Sequence, residues 1–234
     1  MRINFKKINK KQAGFTLAEL MISILIFSMM MTALVTIYGT INKHMFQSYR
    51  QNIVKSNLAI AIKAIQIRLM KATRVDAPSF GSRGNTLAFV TNVDKQSGCS
   101  PINMDSLRVP NTWHYFCRAT CPAPDGAKQC LYHHTGNVTS TTGGCPCTAT
   151  HSNRWIGLTS YPIGFCGPGG GGSVTQILHN VQIPSMGKLF SRKSADGISE
   201  IDQVAISLRS TSNTYGARSI DINLGTVVHT QTTP

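Results

Sequence analysis

Residues 10–42 read KKQAGFTLAELMISILIFSMMMTALVTIYGTIN. From Phe15 to Asn42 the only charged side chain is Glu19. Residues 20–37 are 18 consecutive uncharged, mostly apolar residues, long enough for a membrane-spanning helix. Ahead of Gly14 stand five cations, Arg2, Lys6, Lys7, Lys10 and Lys11, and no acid. A basic segment before an apolar run is an export signal. An ordinary secretory signal puts its small-residue cleavage site after the apolar run. Here the small residue, Gly14, comes before it. On the far side only Lys43 and Arg50 follow closely. That asymmetry keeps the leader cytoplasmic, in a single pass of the inner membrane. Everything after about residue 42 then faces the periplasm or the cell exterior.

The run from Lys10 to Glu19 resembles the class III signal of type IV prepilins and pseudopilins. That pattern is a basic leader, Gly, Phe-Thr-Leu and an acid five residues in. The resemblance implies that residues 1–14 are a leader, that a prepilin peptidase cuts after Gly14, and that the new amino group of Phe15 is N-methylated. It also implies that Glu19 pairs with the Phe15 amine of a neighbouring subunit during assembly. A carboxylate inside a span costs about 2.5–3.5 kcal/mol on insertion scales, so Glu19 reads as functional. Pairing would neutralise both charges and fix subunit register. Two alternatives stand beside this: a Glu19 bonded only to its own N-terminus, and an uncleaved signal anchor.

Beyond the span the apolar period changes. Val54, Leu58, Ala61, Ile62, Ile65 and Leu69 repeat at spacings of three and four, one face of an amphipathic helix. No Pro occurs before Pro78. One helix is therefore expected from about Phe15 to Arg74, with 15–42 in lipid or in an assembly and 43–75 as a stem. The pair Ala77-Pro78 ends it, because the residue before Pro is pushed out of helical geometry.

Residues 76–234 are enough for one sizeable core. Strand-like runs are Thr86–Thr91, Ser173–Ile183, Gln203–Arg209 and Ser219–Leu224, the last extended by Thr226–His229. Alternation with polar residues predicts an antiparallel sheet with one buried face. The class is α+β: a long N-terminal helix packed on that sheet, resembling the pilin fold.

All seven cysteines (Cys99, Cys117, Cys121, Cys130, Cys145, Cys147 and Cys166) lie between 99 and 166. Residues 99–172 read as a loop-rich insertion held by disulfides, consistent with an oxidising compartment. Connectivity is not readable from spacing, and the odd cysteine is free or pairs with another chain. The competing reading is zinc on Cys117, Cys121, Cys145 and Cys147 with His133, His134 and His151. The His133-His134 pair reads as surface. Asp196, Glu200 and Asp202 surround a Gly turn and are the candidates for calcium. Gly167, Gly169 and Gly172 match G-x-G-x-x-G, but Pro168 lies inside the run and a strand follows, so this is a loop and not a phosphate site. Trp113, His114, Tyr115 and Phe116 form an aromatic run that reads as core. No acid pair or nucleophile arrangement points to catalysis.

The reading is a minor pilin or pseudopilin of the larger J- or PilW-like kind, with no enzymatic activity and no cofactor beyond calcium. Its partners are other pilin subunits, prepilin peptidase and the assembly machinery, in a pilus or a type II secretion pseudopilus. The alternatives are a competence pilin whose head binds DNA, and a signal-anchored binding module or enzyme. Net charge bears on the first. The formal charge is +14, with five cations in the leader and seven in residues 43–74. Residues 75–234 hold 11 cations and 8 acids. That leaves little electrostatic footprint for DNA on the head, so DNA is not favoured.

Overall fold

A computed structural model describes residues 14–95, 98–99, 111–138, 155–161, 166–184, 187–194, 202–213 and 219–230. It divides into two compact units, Met1–Tyr49 and Arg50–Pro234. Helix α1, Leu17–Leu69, begins in the first and ends in the second.

In the first unit α1 is exposed along its apolar length. Five of its hydroxyls are nonetheless satisfied within the helix. Ser23 donates to the Glu19 carbonyl, Ser28 to Leu25, Thr32 to Met29, Thr36 to Thr32 and Thr40 to Thr36. Hydrocarbon offers no other partner, so this is what a lipid-facing segment needs.

In the second unit the stripe at three- and four-residue spacing becomes core. Leu58, Ala61, Ile62, Ile65 and Leu69 are buried. The helix ends at Leu69, five residues before the expected Arg74. Lys71 N–H bonds the Arg68 carbonyl and tightens the last turn. Residues Ala72–Ala77 are strand β1, a correction to the 43–75 stem. Thr73 and Val75 are β-branched, and pairing with a neighbouring strand wins over continued helix.

Two antiparallel sheets follow. The first has the order β1-β3-β4-β5-β6, with β3 Leu87–Thr91, β4 Thr112–Thr120, β5 Gln129–Asn137 and β6 Ser173–Leu178. The second has the order β10-β9-β8-β2, with β2 Arg83–Gly84, β8 Phe190–Ser194, β9 Asp202–Asn213 and β10 Ser219–His229. Strand β7, Val181–Gln182, pairs with β9. The single run expected over 173–183 is thus divided between the sheets. Asn180 breaks it with a positive φ of 57°.

One core joins α1 to both sheets. Leu58, Ile65 and Leu69 cluster with Phe89, Phe116 and Leu131 of the first sheet and with Phe190, Val204, Ile206 and Leu208 of the second. The first sheet is also covered on its other face, against the expectation of one buried face. Ala88, Val90 and Trp113 pack there against Trp155 and Tyr161. Strand β3 is buried at every position for that reason.

The loop-rich reading of 99–172 needs correcting in the same place. Strands β4 and β5 lie within it and occupy the middle of the first sheet. The run TWHYFCRAT sends Trp113, Tyr115 and Cys117 to one face and Phe116 to the other. Its apolar alternation was masked by the cysteines, which fill outer-face positions.

Candidate functional site

The chemistry-bearing residues fall in two places, the start of α1 and the outer face of the first sheet. At the start of α1, Gly14 and Phe15 are exposed and precede the first helical turn. Thr16 and Glu19 form a reciprocal cap. The Glu19 carboxylate accepts from the Thr16 N–H at 3.0 Å and from the Thr16 hydroxyl at 3.0 Å. The Glu19 N–H donates to Thr16 Oγ1 at 3.3 Å. This is the capping-box arrangement, in which a Thr and a Glu three residues on satisfy orphan N–H groups at a helix start. Glu19 is therefore held one turn from Phe15 by the sequence's own T-x-x-E spacing. The apolar window that follows is long and apolar enough to cross a membrane.

On the outer face of the first sheet the cysteines are oxidised. Cys117 bonds Cys166 and Cys121 bonds Cys130. Cys99 is disulfide-bonded as well. Cys145, Cys147 and His151 lie outside the described residues. Zinc on Cys117 and Cys121 is thereby corrected, because a disulfide sulfur is no thiolate ligand.

The neighbouring histidines are occupied too. His134 is fully buried beside Cys117 and Cys166. Its Nε2 accepts from the Gly167 N–H, which leaves Nδ1 to donate to the Gly171 carbonyl. His133 is 3% exposed and points to the opposite face, so the surface reading of both histidines is overturned. His133 stacks on Phe116, with ring centroids 4.4 Å apart. Its Nε2 lies 2.9 Å from His114 Nδ1. Burial pushes His133 down to about 3 and His114 down to about 4, with the Arg68 guanidinium adding to both shifts. This is a neutral hydrogen-bonded pair inside a core.

The glycine run behaves as the loop expected of it. Gly172 has φ +79, and a Cβ there would meet Trp113 Cη2 at 2.4 Å, so the glycine permits close packing over the indole. Trp113 and Phe116 are buried, as the aromatic run predicts. Of the calcium candidates, Asp196 and Glu200 lie outside the described residues. Asp202 opens β9, and its side chain is likewise not described.

One organising residue escaped notice in the sequence. Asp76 accepts from Arg74 Nε at 2.8 Å, from Trp155 Nε1 at 2.9 Å and from the Tyr161 hydroxyl at 2.9 Å. It pins the 155–161 segment to β1. Burial and the adjacent carboxylate hold the Tyr161 phenol well above its ordinary range. The neighbouring Ala77-Pro78 signals only a helix stop, and two of the three partners, Trp155 and Tyr161, lie 79 and 85 residues away.

Residues 9–35 match the family model for the prokaryotic N-terminal methylation motif. No curated protein and no solved structure matches the chain. The chain thus carries the class III prepilin signal of type IV pilins. A long apolar N-terminal helix packed on antiparallel sheets gives it a pilin-like α+β architecture. The motif implies processing by prepilin peptidase and assembly with other pilin subunits, and the apolar helix fits membrane anchoring.

Proposed function

We propose that this chain is a minor pilin or pseudopilin subunit, cut after Gly14, methylated on Phe15 and drawn through α1 into a type IV pilus or a type II secretion pseudopilus. The observation that carries the reading is the placement of Glu19. It sits in the first turn of α1 as the one charged side chain between Phe15 and Asn42, beside the amino group that cleavage would create. In hydrocarbon that amine is the partner best able to offset the carboxylate. Before cleavage the chain is a single-pass inner-membrane protein with its leader in the cytoplasm and its head in the periplasm. In this reading the chain is a substrate of enzymes and not itself an enzyme.

The test is to produce the full chain with a prepilin peptidase and sequence the product from its N-terminus. The expected terminus is N-methyl-Phe15, lighter than the precursor by residues 1–14. An intact leader would overturn the reading in favour of a signal anchor.

A further inference from the structure

The stem of α1 carries a second apolar stripe on the side away from the head core. Ile53, Ile60 and Ile67 recur every seven residues, and Met70 follows one turn on. They are 41%, 63%, 49% and 50% exposed. At about 100° per residue the three isoleucines lie opposite Leu58, Ile65 and Leu69, which face the core. An open apolar hollow continues the stripe onto the end of β10, lined by Ile67, Met70, Lys71, His229 and Thr230. A heptad-spaced apolar stripe on a helix already committed to a core on its other side is a helix-packing surface.

Charge decides what packs there. Lys63 and Lys71 flank the stripe and are exposed. Between Glu19 and Asp76 the chain holds seven cations and no acid. Two copies of this stem aligned side by side would bring lysine to lysine with nothing to offset them. Like charges along a helix seam select against self-pairing and for a partner of opposite sign. We infer that the Ile53–Ile60–Ile67 face is the contact for a different subunit, whose stem helix carries acidic residues beside its own apolar stripe, and that it disfavours a second copy of this chain.

The inference rests on the filament reading above and adds which neighbour the stem accepts. The experiment places a photo-crosslinking amino acid at Ile60 of the full chain, in cells that make the complete assembly. Adducts are mapped by mass spectrometry, and the N-terminus is read in the same samples. The expected adduct is to a helical peptide of another pilin-type chain with Asp or Glu flanking its apolar positions. Its yield should fall about tenfold or more in Lys63→Glu with Lys71→Glu and survive in the two Lys→Arg forms. Adducts to this chain itself or to phospholipid would overturn the inference. So would a yield indifferent to charge reversal, or Phe15 exposed with no adduct at all. An uncleaved leader would instead bring down the filament reading, and this inference with it.

Discussion

Glu19 has two jobs open to it, and exchanging one carboxylate oxygen for an amide nitrogen separates them. As a cap it accepts the Thr16 N–H, a task that Gln performs as well. As a charge it offsets the Phe15 amine, which Gln cannot do. We expect Glu19→Gln to leave cleavage after Gly14 intact while filament incorporation drops as far as in Glu19→Val. Incorporation of the Gln form at the wild-type level, measured by immunoblot of sheared filaments, would reduce Glu19 to a cap. At the same scale His133 and His114 make the head sensitive to acid. Their folded values of about 3 and about 4 lie below the ordinary 6.5. The unfolded chain therefore binds more protons over that interval, and stability falls as pH drops from about 6.5 toward 3. The loss builds as pH falls through that interval and is on the order of several kcal/mol. Urea midpoints at pH 7 and pH 4.5 read it, and His133→Phe should flatten the difference.

The disulfides act at the level of elements. Cys121–Cys130 closes the turn between β4 and β5 at a separation of 9 residues, whereas Cys117–Cys166 spans 49. Loop-closure entropy makes the longer link worth about 4 kcal/mol and the shorter about 2.5. Replacing Cys117 and Cys166 together by Ser should therefore cost more than replacing Cys121 and Cys130, by about 1.5 kcal/mol. Equal losses in chemical denaturation would mean that neither loop is free in the unfolded chain. The helix boundary belongs here too. Hydropathy carried α1 to Arg74, but the strand partner of residues 72–77 lies across a turn, at 88–91. A periodicity read along one segment has no access to that partner.

For the second unit as a whole, the consequence is cooperativity. The two sheets share one core through a single face of α1. Truncating Ile65 to Ala should cost about 2–5 kcal/mol, because it is fully buried among both sheets. Amide exchange should then accelerate in β4 and β9 alike. Acceleration confined to one sheet would show that the sheets unfold separately. Charge also reads at this scale. Most of the +14 lies ahead of residue 75, in the leader and the stem, so it speaks of topology and neighbours more than of a ligand for the head.

The sequence by itself determined the prepilin-type signal, the apolar run long enough to cross a membrane, the core stripe of the stem and the strands β9 and β10. Each is encoded by neighbours a few residues apart: a motif, a hydropathy window or a period of two or 3.6. Tertiary structure alone decided the rest. It placed β4 and β5 at the centre of a sheet, oxidised Cys117 with Cys166, and buried His133 on one face and His134 on the other. It also made Asp76 the anchor of a segment about eighty residues away. Those outcomes depend on which distant groups arrive at the same point, and local spacing does not carry that information.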